Sequence, residues 1–160
     1  MTPACLARLN ATIAEAIPLA QAAGIRLQVN TDDTLSAQAP FVANSNPHAT
    51  VFGGSLYVAA LVAGYAQTVC LVEQAGLKAA VVVRHAEADY RRPLADDFSA
   101  RVEPIDAQTR TRFLHGIRQH GRGRIDLTIT VSSATLSAFT LYARFAAIAS
   151  GDAAAAAQPA

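Results

Sequence analysis

Hydrophobic and polar positions along this chain follow three patterns, and each predicts a different element. Behind Thr2-Pro3, an N-cap followed by proline at the first helical position, Leu6, Leu9, Ile13 and Ile17 recur at helical spacing. They predict an amphipathic helix ending near Pro18. Period-2 alternation predicts strands. Ile25, Leu27 and Val29 share a face in residues 25–30, and residues 35–39 return as a second short strand across the turn Thr31-Asp32-Asp33-Thr34. Residues 79–91 begin as a continuous apolar run and then alternate through Ala86, Ala88 and Tyr90 until Pro93. Phe98, Ala100 and Val102 alternate next, then Ile125, Leu127, Ile129 and Val131 in residues 124–132. Phe139, Leu141, Ala143 and Phe145 alternate in residues 136–148.

The third pattern is the most informative. Residues 44–65, NSNPHATVFGGSLYVAALVAGY, pass from a polar loop without periodicity, through a Gly-Gly pair, into a helix apolar on every side. Such a helix is expected to be buried rather than to lie on a surface. It should run from about Gly54 to Ala75, with Gly76 as its C-terminal cap. Between the last strands, Asp106 is positioned to cap a short helix with Phe113, Leu114 and Ile117 on one face, stopped by Gly121. One long apolar helix among antiparallel strands implies an α+β fold in which the sheet wraps round the helix and covers it with its apolar face. The sheet edge left over makes a second subunit a reasonable expectation. Residues 149–160 are alanine-rich with no stripe and are expected to be disordered.

Composition narrows the partners. The 160 residues suit one domain, residues 1–149, followed by the tail at 150–160. Apolar content of 52% against 16% charged leaves enough for a core and an interface. The net charge of +1 argues against a chain built to grip nucleic acid. Cys5 and Cys70 form neither a disulfide framework nor a metal-ligand spacing. With no signal peptide and an uncharged apolar run (56–66) short of a membrane span, a cytoplasmic protein with no membrane partner is expected. No nucleotide fingerprint or metal cluster is present, so no cofactor or metal is expected.

The helix beginning at Gly54 would aim unpaired N–H groups and the positive end of its dipole at whatever the loop holds. That suits a carbonyl oxygen gaining negative charge, as in acyl transfer. The plainer reading is that Gly53 and Gly54 only permit a tight loop and close packing.

The combination of Ile17-Pro18-Leu19, Asn44-x-Asn46, Thr50-Val51-Phe52-Gly53-Gly54-Ser55-Leu56 and Tyr90-x-x-Pro93 resembles the putative thioesterase domain of the YiiD C-terminal type, a branch of the hotdog superfamily. The similarity runs over about residues 6–147. It implies a hotdog fold, a homodimer or dimer of dimers, and an acyl-CoA or acyl-carrier-protein substrate bound near the interface. It also implies thioester hydrolysis in fatty-acid metabolism, with the Gly54 N–H facing the carbonyl oxygen and Ser55 adding a donor or capping the helix. Many relatives outside this branch carry His before the Gly-Gly pair and an acid two turns into the helix. Here those places hold Phe52 and Leu61, and no acid occurs between Gly54 and Glu73.

The loop offers substitutes. Asn46 is a candidate to hold a water or the carbonyl, and His48 to take a proton near neutral pH. Asn44, Gly53, Tyr90, Arg91 and Arg92 are candidates to bind substrate, the arginines through phosphates. The plainer readings are an exposed loop histidine, an asparagine that only starts a turn before Pro47, and solvated charges. A further arginine group, Arg110, Arg112, Arg118, Arg122 and Arg124, reads either as a phosphate patch or as a solvated face. Two other function classes stay open. One is a non-catalytic acyl-thioester binding module, favoured by the missing helix acid. The other is a dehydratase of the same fold, which would need a histidine and an acid paired across the dimer, His85 with Glu87 or Asp89.

Overall fold

The computed structural model describes residues 2–149, so the alanine-rich segment expected at residues 150–160 lies outside the described residues. Ala149 itself closes the last strand rather than opening a tail. The elements run α1 (Pro3–Ala16), α2 (Pro18–Ala22), β1 (Arg26–Val29), β2 (Leu35–Ala39), α3 (Gly53–Gln74), β3 (Ala79–Tyr90), β4 (Phe98–Val102), α4 (Ala107–His120), β5 (Arg122–Ser132) and β6 (Ser137–Ala149). Thr2 caps α1 by accepting the Cys5 N–H, and Asp106 caps α4 by accepting the Thr109 N–H. Gly76 and Gly121 end α3 and α4 at φ +70° and +66°, a conformation that costs glycine nothing.

All strand pairings are antiparallel, in the order β1-β2-β4-β5-β6-β3. The expected α+β fold, a sheet wrapped round one long helix, is what forms. The inward residues of β5 and β6 (Ile125, Leu127, Ile129 and Val131; Phe139, Leu141, Ala143 and Phe145) are buried against α3. Small residues on α3 let the sheet approach closely. A Cβ at Gly64 would stand only 2.7 Å from the Phe145 ring. Within this core the buried Gln67 is not stranded, because its Oε1 accepts the Leu35 N–H at 2.7 Å and ties α3 to β2.

Three expectations change. Pro18 ends α1 but also starts α2, using the same first-turn tolerance as Pro3, so a short helix missing from the sequence reading lies between α1 and β1. Alternation in β3 is interrupted by a bulge between Val83 and His85. The extra residue is why Val81 and Val83 share a face with Ala86 and Ala88, out of simple period two. Finally, α3 is not buried on every side. Tyr57, Val58, Leu61, Tyr65 and Val69 are only partly covered, and they look toward the β3 side of the sheet. By length and composition α3 could cross a membrane, yet most of it is enclosed by the sheet as the core helix.

Strand β3 ends the sheet, and none of its twelve residues is fully buried. Val82 and Val83 are 40% and 47% exposed, which is high for β-branched residues in a strand centre.

Candidate active site at the start of the central helix

Local sequence explains why the loop before α3 holds its shape. Residues 42–44 form a short 3-10 turn, and Asn44 is buried beneath it. Its side-chain amide donates to Ala23 O and to Pro40 O, both at 2.8 Å, and its backbone carbonyl accepts the Phe52 N–H at 2.8 Å. Asn44, read from the sequence as a substrate contact, has both amide donors committed to the backbone. It anchors the loop instead. Sequence alone shows the residue type but not the carbonyls waiting at residues 23 and 40.

Beyond Asn44 the chain makes a tight excursion closed by the bridge between Ser45 and Val51. Asn46 staples it from within. Its Oδ1 accepts the His48 N–H at 2.9 Å and the Thr50 N–H at 3.3 Å, while its Nδ2 donates to Thr50 Oγ1 at 2.9 Å. The staple holds Ala49 at φ +57°, a left-handed conformation that a side-chain-bearing residue adopts only at a cost. His48 projects at the exposed tip. Asn46 and His48 are therefore brought together through a backbone contact, with Asn46 shaping the loop that presents the imidazole.

The helix itself begins without a side-chain cap. Phe52 occupies the N-cap position, Ser55 lies at the third helical position rather than capping, and the Ser55 and Leu56 N–H groups both return to Phe52 O. Among the described residues no acceptor pairs with the N–H groups of Gly53 or Gly54. Two adjacent donors at the positive end of a 22-residue helix are thus left open.

Aromatic rings flank these donors. Tyr90 donates its hydroxyl to Gly53 O at 3.2 Å and stacks edge-on against Phe139 with ring centroids 4.7 Å apart. A Cβ at Gly53 would be 3.0 Å from the Tyr90 ring, and one at Gly54 would run into the Phe52 ring. Glycine is needed at both positions for this close approach. Tyr90, far along the sequence from the Gly53-Gly54 pair, is brought against Gly53. Phe52, read only as a missing histidine, is a wall of the site and is 58% exposed.

The arginines divide. Arg91 Nε pairs with Asp89 at 2.7 Å, which raises its pKa above the ordinary guanidinium value, the Asp89 hydrogen bond being the main cause. Asp89 alternates with Tyr90, so this pair draws the guanidinium toward the outer sheet face and away from Gly53. Arg92 is exposed, and the backbone N–H groups of both arginines donate to Ala138 O. His85 and Glu87 also lie on the outer face, beside Tyr142, Arg144 and Asp126. The sheet separates them from Gly54, so the pair considered for a dehydratase does not meet the helix start of its own subunit.

Leu61, at the place of the missing acid, lines an apolar cavity of about 260 Å³ with Ile17, Leu19, Val58, Tyr65 and Phe145 among its other walls. Ile17 and Leu19 flank the start of α2, the element the sequence reading did not find. Proline at its first position was the signal available. Among the described residues no group of three or more His, Cys, Asp or Glu is arranged to hold a metal.

An open pair of N–H donors, aromatic walls and an apolar cavity can polarise a carbonyl and seat an apolar group attached to it. Comparison with known proteins agrees with this reading. The family model for putative thioesterase (yiiD_Cterm) matches residues 6–149. The chain belongs to this family. Its fold is that of hotdog thioesterases. A putative thioesterase from Shewanella oneidensis superposes with a TM-score of 0.82 at 21% identity, covering 92% of this chain and 99% of the other. A protein of unknown function from Chlorobaculum tepidum gives 0.82 at 22% identity, covering 89% and 93%. A thioesterase from Haemophilus influenzae gives 0.67 at 19% identity, covering 90% of each chain. At these identities the structural likeness speaks for the fold.

Proposed function

We propose that this protein is an acyl-thioester hydrolase acting on acyl-CoA or acyl-carrier-protein substrates in fatty-acid metabolism. The observation that carries the proposal is the pair of open N–H groups at Gly53 and Gly54. Donors fixed before the reaction cost no reorganisation when the carbonyl oxygen becomes an oxyanion. In this reading the Gly54 N–H receives that oxygen, Gly53 and Ser55 support it, and Tyr90 and Phe52 flank the thioester. Water attacks the carbonyl carbon from the side of the loop at residues 46–50, where His48 accepts its proton and Asn46 holds the loop in place. The tetrahedral intermediate then collapses: the C–S bond breaks, the protonated His48 gives its proton to the departing sulfur, and the thiol and the carboxylic acid are released. The chemistry needs no metal.

The same proposal includes a homodimer joined at β3. Its edge, unpaired among the described residues, and the exposed Val83 beside the half-covered Val58, Leu61 and Tyr65 form one surface, with Val82 exposed on the other face of the strand. Antiparallel pairing of two β3 edges about a two-fold axis would cover it, and a dimer of dimers is compatible with it. A cytoplasmic location is part of the proposal.

The test is a panel of acyl-CoA and acyl-carrier-protein thioesters with a thiol-detecting readout, run on the wild type, Asn46→Ala and His48→Ala. Thiol release by the wild type, lowered in each variant without loss of the folded state, is expected. Unchanged turnover in both variants removes the loop from the mechanism. A second reading has its own support: with Leu61 in the apolar wall, α3 carries no acid before Glu73. A non-catalytic acyl-thioester binding module would bind acyl-CoA tightly and release no thiol at any chain length.

A further inference from the structure

We propose that Asn10 closes the β1 edge of the sheet against a second copy of this chain, so that pairing through sheet edges is confined to β3 and ends at two subunits. Only the number of subunits rests on the β3 dimer; the closure of β1 stands on its own geometry. Strands β1 and β3 are the two outer strands of the sheet. In an antiparallel ladder one residue turns both backbone groups toward its partner strand and the next turns both away. The Asn30 N–H donates to Thr34 O across the turn, so Ile25, Leu27 and Val29 are the residues whose groups face outward. Leu27 meets Asn10 there. Its N–H donates to Asn10 Oδ1 at 2.8 Å, and its carbonyl accepts from Asn10 Nδ2 at 3.2 Å. One side-chain amide thus takes both places that a residue of a neighbouring strand would fill. Ile25 is closed as well, its N–H donating to Ala20 O at 3.0 Å and its carbonyl accepting from the Arg26 guanidinium at 3.2 Å. Val29, beside the turn, keeps both groups without a partner among the described residues, and a single residue is too short to start a ladder.

Asparagine is otherwise a poor residue for this place. It favours caps and turns over helix interiors, because its side chain competes for backbone groups. Yet α1 carries Asn10 in its middle, between the buried Leu9 and Ile13, where Nδ2 also donates to Leu6 O at 3.2 Å. The side chain is therefore held to its own helix and to the strand at once. The opposite edge is built differently. Among the described residues no acceptor or donor meets the backbone groups of β3 that face away from β6. The difference matters for symmetry. Were both edges open, β3 of one copy could pair with β1 of the next, a contact between two unlike surfaces that never closes and adds copies without limit. With β1 shut, β3 can pair only with β3. That contact uses the same surface twice and closes at once.

Light scattering after size exclusion tests this on the full chain over about a hundredfold range of protein concentration. The wild type should reach one limiting mass, that of two subunits. Asn10→Ala strips both partners from Leu27 and should grow beyond that mass as concentration rises. Asn10→Ser, whose hydroxyl is too short to bridge both Leu27 groups, should grow in the same way but less, and it decides the matter should Asn10→Ala fail to fold. Asn10→Lys loses the same acceptor but sets a charge over the edge, and should stay at the wild-type mass. Hydrogen exchange places the contact. In dilute Asn10→Ala the Leu27 amide should exchange about tenfold faster than in the wild type, and it should slow again as the variant associates. Growth no greater in Asn10→Ala and Asn10→Ser than in Asn10→Lys overturns the proposal, as does a Leu27 amide that stays fast in the associated form. A wild type that remains a single subunit removes the β3 dimer, and the closure of β1 is then judged by the same comparison among the variants.

Discussion

The two faces of α3 are built from similar residues and have opposite fates. On the face toward β2, β4, β5 and β6, Ala59, Ala60, Ala63, Gly64, Ala66 and Gln67 are sealed, and even the one long polar side chain has its partner. On the other face Val58, Leu61, Tyr65 and Val69 are just as apolar, yet among the described residues they are only partly covered. The sealed face answers to packing density and holds the molecule together. The open face begins at the unpaired N–H groups of Gly53 and Gly54 and continues into a cavity, so its apolar character is available to a ligand or a second subunit. Apolarity alone does not distinguish a core from a binding surface. What distinguishes them is whether the rest of the chain can reach.

Breaking each face should therefore give different signatures. The largest effect is expected on the sealed side. Ile129 is fully buried opposite Gly64, and Ile129→Ala should lower unfolding free energy by about 2–5 kcal/mol in urea titration. Leu61→Ala on the open face should cost less than half as much, and its cost should vary with protein concentration. An equal and concentration-independent loss would mean that the open face is ordinary core. At the head of that face, Gly54→Pro removes one N–H where the first helical turn tolerates proline. Made in a Phe52→Ala background, so that the ring is not in the way, it should reduce kcat by about 10²–10³-fold against that background with the fold retained.

A smaller effect is expected at the buried polar contact. Gln67→Leu would leave the Leu35 N–H unpaired in the core and should cost about 1–3 kcal/mol, measured by the same titration. The smallest lies far from either face, in the turn after β1. There a hydrogen bond from Thr34, helped by one from Arg101, lowers the Asp32 pKa from 3.8 to about 2. A folded-state pKa below the unfolded value means that this contribution is complete above the unfolded value. It is lost as pH falls through 3.8 toward 2. Melting temperatures of Asp32→Asn compared with the wild type between pH 5 and 2 should converge as the pH drops.

Much of the fold is legible in the chain because strand and helix periodicities are local and strong. The alternations of β5 and β6, the Asp106 cap and the glycines at the ends of α3 and α4 all appear where residue types alone place them. The short α2 escaped because its five residues are too few to show a period. The β3 bulge escaped because an extra residue is visible only against the partner strand. The site divides along the same line. Gly53 and Gly54 are legible, since a Gly-Gly pair opening an apolar helix has few other uses. Asn44, Asn46 and His48 look equivalent in one polar loop, and only their hydrogen bonds separate the anchor, the staple and the exposed imidazole.

By itself the sequence determined the class of fold, the central helix, the position of its open N-terminus and, through the motif around Gly53 and Gly54, the family. Those follow from periodicity and from residue types whose conformational limits act over a few neighbours. Only the tertiary structure decided that Tyr90 would close over Gly53, that Phe52 would flank Gly54, that Asn44 would be spent on backbone carbonyls, and that one stripe of an apolar helix would stay open. Each of these depends on which distant groups arrive within hydrogen-bonding or van der Waals reach, and short-range pattern carries no record of such distances.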